Sequence, residues 1–166
     1  MITTTSSPIF LPGQHASPEG PVDLMNMYVM HHAFRRDLAD FRSTVEEASI
    51  LDHVRWKALR RRWHAFASAL HSHHCAEDAG LWPLLLERVA SRGDDDARTV
   101  LEAMQAGHAR IDPVLKECTE GFTRLAEGTT EAVRLALGRS LAVTSELLNG
   151  HLGHEERDAM PWSSAT

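Results

Sequence analysis

Residues 22–47 read VDLMNMYVMHHAFRRDLADFRSTVEE, without a glycine or proline. Leu24, Met27, Tyr28, His31, Phe34, Leu38, Phe41 and Val45 recur at three- and four-residue intervals, which predicts a helix with one inward stripe that carries a histidine. Three further stretches show the same period. The second begins near Asp52, an expected N-cap, and passes Trp56, Leu59, Trp63, Phe66 and Leu70 towards Ser91, with Arg92-Gly93 as its stop. A straight helix of that length would span about 60 Å, so Pro83, which removes a donor and frees the carbonyl of Ala79, is expected to kink or break it. The third follows the acidic turn Asp94-Asp95-Asp96, whose charges suit a helix N-terminus, and runs to about Leu125 with Pro113 as an interior distortion. The fourth runs from about Thr130 to Asp158 and ends at Pro161.

Four long helices joined by short polar turns predict an all-α, antiparallel up-down-up-down four-helix bundle. The bundle is assigned to residues 22–162. Residues 1–21, broken by Pro8, Pro12, Pro18 and Pro21, read as an extended N-terminal arm whose patch Ile9-Phe10-Leu11 can dock on the body, and residues 163–166 as a frayed C-terminus.

Composition narrows the function classes. A chain of 166 residues with 43% apolar content supplies one core. The 23 acidic residues against 17 basic ones give a net charge of −6, which disfavours nucleic acid as a partner. No apolar run is long enough for a membrane span, and no export leader is expected. Two cysteines, Cys75 and Cys118, are too few for a disulfide framework and suit a reducing compartment, so a cytoplasmic location is expected.

The unusual number is eleven histidines. A histidine and a carboxylate four residues apart on a helix reach one ion together, and five such pairs occur: His73/Glu77, His74/Asp78, His108/Asp112, His151/Glu155 and His154/Asp158. Random placement would give about 1.5. His73 and His74 differ by about 100° around the helix, so only one of these neighbouring pairs is expected to face a common target.

Register selects among them. In an antiparallel bundle the start of helix one, the end of helix two, the start of helix three and the end of helix four share one end. His31, Glu77, His108 and His151 lie at similar heights from that end, with His31 and His151 roughly 10 to 14 Å from it. The expected metal ligands are therefore His31, His73, Glu77, His108, His151 and Glu155, with His31 preferred to His32 because it shares the stripe of Tyr28, Phe34 and Leu38. His53 and His64 fall towards the opposite end and His15 in the arm. His32, His71, His74 and His154 are expected at the surface or behind the ligands.

Four histidines and two glutamates exceed a four-coordinate structural zinc site. Two metals fit better: bridging by Glu77 and Glu155 would give each ion two nitrogens and two oxygens, and an oxo or hydroxo bridge a fifth donor. Mixed imidazole and carboxylate ligation with open positions suits two iron ions, with manganese or zinc as substitutes. Tyr28, one turn before His31, and Asp112, four residues after His108, stand near enough to hydrogen-bond a bound group.

His31 in HHAFRRDL, His73 to Glu77 in HHCAED followed by LWP, His108 in GHARI, and His151 to Glu155 in HLGHEE with the later Pro161 resemble the hemerythrin-like family, or HHE cation-binding domain. The order H, H-x-x-x-E, H, H-x-x-x-E is matched across most of residues 22–162. The resemblance implies a hemerythrin-like bundle with a non-haem di-iron centre that meets dioxygen, peroxide or nitric oxide, with a role in oxidative stress, or that senses oxygen, redox state or iron. The oxygen carriers of that family use five histidines, the fifth on helix three four residues after the first, where this chain has Asp112. A site short of one nitrogen would be more open and suited to peroxide or irreversible use of dioxygen, as in catalase-like disproportionation. The other reading is a non-catalytic sensing or binding module that acts through a protein partner.

Overall fold

The computed structural model describes residues 10–17 and 23–161. The expected arm is thus described only over 10–17, and the expected frayed end lies outside the described residues.

Helix α1 spans Met25–Glu47, α2 His53–Ala76, α3 Trp82–Arg92, α4 Asp95–Glu127 and α5 Glu131–His154. Helices α2 and α3 are joined without a break by a π-helical segment, Glu77–Leu81, and a second such segment, Glu155–Ala159, continues α5. The result is four rods. Asp52 accepts the Arg55 N–H at 3.0 Å and Asp94 the Ala97 N–H at 3.0 Å, each satisfying an otherwise orphaned donor at a helix start. Gly93 closes α3 at φ 67°, a left-handed turn that a side chain would strain.

The turns between rods are short, so each rod reverses on the last. Leu24 and Tyr28 from the start of the first rod, Trp82 from the end of the second, Leu101 and Met104 from the start of the third, and Ala159 and Met160 from the end of the fourth form one apolar cluster. This places those ends together, as an antiparallel bundle requires. A larger cluster fills the rest of the bundle around Phe41, Trp56, Trp63, Phe66, Phe122 and Leu141. Phe41, Trp63 and Phe122 meet at ring separations of 5.1 to 5.5 Å, and the Trp63 indole N–H donates to Thr119 Oγ1 at 2.8 Å. The two clusters are not continuous with each other. Between them lies a buried polar layer.

The expected disruption at Pro83 takes the form of the π segment before it rather than a break. The Trp82 N–H, the last donor before the proline, bonds the carbonyl of Glu77 five residues back, and Pro83 then sits in the first turn of α3, where no donor is needed. The fourth rod repeats the device: the Met160 N–H bonds the carbonyl of Glu155 immediately before Pro161. Pro113 lies within a continuous α4. No described helix is long and apolar enough to cross a membrane.

Candidate metal centre

All six expected ligands are buried in the polar layer and converge there. His31 comes from α1, His73 from the last turn of α2, His108 from α4 and His151 from the last turn of α5. Glu77 and Glu155 are each the first residue of a π segment. The His73 Nε2 lies 3.0 Å from Glu77 Oε1, and the His31 Nε2 lies 3.1 Å from His73 Nε2. The other Glu77 oxygen, Oε2, is 3.4 Å from His108 Nε2. Glu155 Oε2 stands between the histidines of the first and fourth rods, 3.7 Å from His31 Nε2 and 3.7 Å from His151 Nε2. Each glutamate therefore faces imidazoles on both sides of the layer.

One histidine departs from expectation. His74 is 3% exposed, its ring stacked on His108 at 4.0 Å and edge-on to His151 at 5.5 Å. The 100° between His73 and His74 does not send one of them outward, because the face a rod buries in a bundle is itself at least that wide. The two rings instead enter different halves of the layer. His31, His73, Glu77 and Glu155 bring ligand atoms within 4.8 Å of one another, and His74, His108 and His151 do the same. Five imidazoles occupy the layer, where spacing predicts four.

Two acids behind the layer hold the outer edges of the rings. Glu156 Oε1 lies 2.9 Å from His31 Nδ1 and accepts from Arg35 Nη1 at 2.7 Å, while Asp78 Oδ1 lies 3.0 Å from His108 Nδ1. A carboxylate on one ring nitrogen fixes the tautomer and turns the other nitrogen, as a free acceptor, towards the layer. Spacing marks Asp78 only as a partner of His74, and Glu156 not at all. The signal was present in the His74/Asp78 pair and in Arg35, one turn after His31. Tyr28 is buried, and its hydroxyl donates to the carbonyl of Glu156 at 3.2 Å, a group for which Pro161 has no N–H to offer. It supports the acid behind His31 rather than entering the layer. Asp112 is exposed on α4, as are His53, His64 and His71 on α2 and His15 in the arm. His32 and His154 are partly buried, and Cys75 is exposed.

The electrostatics favour a cation. Desolvation, aided by the neighbouring imidazoles, pulls His74 down to about 2 and His151 to about 3, and burial also lowers His31, so these rings stay neutral with lone pairs free. Burial pushes His108 down too, but the Glu77 and Asp78 carboxylates beside it outweigh burial and raise the group. Glu77 is lowered despite its burial, by the His108 and His73 imidazoles beside it. Glu155 is raised well above the carboxylate range, by burial first and then by the charge of Glu77 facing it. Without a cation one of the two facing acids therefore keeps its proton; a positive charge between them would let both ionise.

Whether a metal fits is decided by what the layer leaves unpaired. Both nitrogens of His74, Nε2 of His108, Nε2 of His151, and both oxygens of Glu77 and of Glu155 are buried without a hydrogen-bond partner. Buried polar atoms are normally paired, and eight orphans within one layer form a donor set of neutral imidazole and carboxylate oxygen that suits first-row divalent metals. Gly107 keeps the layer open: a Cβ there would lie 2.4 Å from His151 Nδ1. A cavity of about 210 Å³ between α4 and α5, lined by Gly107, Ile111, Gly150 and His154 among others, reaches the His151 ring.

The family model of the hemerythrin HHE cation binding domain matches residues 23–163. No curated protein and no solved structure matches the chain. The match covers most of the chain, and the described residues form an all-helical bundle consistent with it. The chain belongs to the hemerythrin HHE cation-binding domain family.

Proposed function

We propose that the layer holds two iron ions through His31, His73, Glu77, His108, His151 and Glu155, and that the centre reacts with dioxygen, peroxide or nitric oxide, peroxide disproportionation being the reaction to test first. The observation that carries this is the set of eight buried, unpaired ligand atoms on three of the four rods, faced by His31 from the first. Bound iron supplies redox chemistry and open positions for a small molecule. The chain's own residues supply the rest. Glu156 and Asp78 lock the outer nitrogens of His31 and His108, so the inner nitrogens are held as acceptors without rearrangement. Apolar clusters on both sides exclude bulk water, and the cavity beside His151 is of a size suited to diatomic molecules and peroxide.

The test is oxygen evolution from hydrogen peroxide, two molecules giving two waters and one dioxygen, by protein reconstituted with ferrous iron. Turnover that is lost in Glu77→Gln and kept in His53→Ala supports the reading; no turnover by the iron-loaded wild type defeats the peroxide assignment.

A second reading, oxygen, redox or iron sensing through a partner, is favoured by one observation. The arm is bonded to the machinery behind His31: Gln14 Nε2 donates to the Tyr28 carbonyl at 2.9 Å and the His15 N–H to Glu156 Oε2 at 3.3 Å. A change at His31 that moves Glu156 would reach the arm. Equal protease sensitivity of the arm in metal-free, reduced and oxidised protein would remove this reading.

A further inference from the structure

We propose that His74, beside His73 on α2, is a fifth metal-ligating imidazole; this rests on the two-metal reading above. A buried histidine with a purely structural role commonly has at least one ring nitrogen paired, because neutral imidazole carries one donor and one acceptor. His74 has neither paired. Its neighbours cannot supply the need. The Nδ1 of His108 is taken by Asp78, its Nε2 faces inward unpaired, and the Nε2 of His151 is unpaired as well. Three rings thus bring ligand nitrogens within 4.8 Å of one another, and Glu77 Oε2 stands 3.4 Å from the His108 Nε2. Nitrogen lone pairs that converge with a carboxylate oxygen beside them share one partner chemistry, a divalent cation.

The experiment titrates the full-length chain, stripped of metal by chelation, with cobalt(II) alone. Visible absorption and calorimetry follow each equivalent for wild type, His74→Leu and the control His53→Ala. Wild type and His53→Ala are expected to bind two equivalents. In His74→Leu one step is expected to weaken by more than the ~10–100-fold that loss of a supporting residue behind a ligand causes, with unchanged helicity and a metal-free melting temperature no lower than wild type. Two wild-type steps in His74→Leu, with the same affinities and bands, would overturn the role of His74 and leave the two-metal reading standing. Fewer than two equivalents in wild type would overturn that reading and this proposal with it. Should His74→Leu fail to fold, proton NMR of cobalt-loaded wild type decides: five paramagnetically shifted imidazole N–H signals are expected, and four would overturn the assignment.

Discussion

Two regions of this bundle are equally buried and oppositely made. In the half around Trp63, large apolar side chains pack on one another, and both indole N–H groups are satisfied, that of Trp63 by Thr119 and that of Trp56 by the Ser49 carbonyl. In the layer around Glu77 the side chains are just as dry, yet eight ligand atoms have no partner. The first region lowers the free energy of the fold by itself, each aromatic pair adding ~0.5–1.5 kcal/mol beyond area burial. The second raises it until something positive enters. The comparison teaches that burial alone does not tell stability from function; the pairing state of the buried atoms does.

Substitutions in the two regions should therefore separate cleanly. The largest effect on folding is expected for Trp63→Ala, about 3–5 kcal/mol of lost stability in metal-free and metal-loaded protein alike, read from denaturant unfolding. Glu77→Gln should show the opposite pattern: loss of at least one metal per chain, with metal-free stability equal to wild type or higher. His53→Ala should leave both quantities unchanged. If Glu77→Gln unfolded the metal-free chain as Trp63→Ala does, the two regions would not differ in kind.

A finer test lies at the edge of the layer. Gly107→Ala puts a methyl group 2.4 Å from His151 Nδ1, so the ring must shift. Its expected signature is weakened metal binding with helicity retained. Asp78→Asn removes the carboxylate behind His108 and should lower metal affinity by about 10–100-fold, measured by competition with a chelator.

The last test is of pH dependence, and its sign follows from the depressed histidines. His74 at about 2 and His151 at about 3 stay neutral when folded, whereas in the unfolded chain such groups take up protons below about 6.5. The unfolded state therefore binds more protons as pH falls, and metal-free stability declines from about pH 6.5 downwards. Glu155 works the other way: its raised folded pKa contributes stability at low pH that is lost as pH rises through that pKa. Melting of metal-free Trp63→Ala should keep the wild-type decline below pH 6.5, while His74→Leu should show a shallower one. A shallower decline in Trp63→Ala alone would assign the effect to the wrong region.

Much of this was legible in the chain. The stripes of four amphipathic segments and their turn residues fix the bundle, and register along antiparallel rods selects His31, Glu77, His108 and His151 because height in a helix is linear in sequence. His74 was not legible by the same route. Adjacent residues on a helix point 100° apart, which excludes one of them from a single small target but not from a layer wide enough for two. The π segments were half legible. Each starts at the glutamate of an H-x-x-x-E pair and ends just before a proline six residues on, Pro83 and Pro161, so the spacing E-x5-P marks both. Glu156 escaped because its partners, His31 and Arg35, lie more than a hundred residues away in sequence.

The central claim is that the polar layer is built for two metals. The most direct test is metal content per chain after anaerobic reconstitution with ferrous iron and removal of excess, measured with the near-ultraviolet spectrum before and after peroxide. The account predicts about two irons per wild-type chain, fewer in Glu77→Gln, and charge-transfer bands that respond to peroxide. Wild-type protein that retains no iron, zinc or manganese and melts at the same temperature with and without them would contradict it.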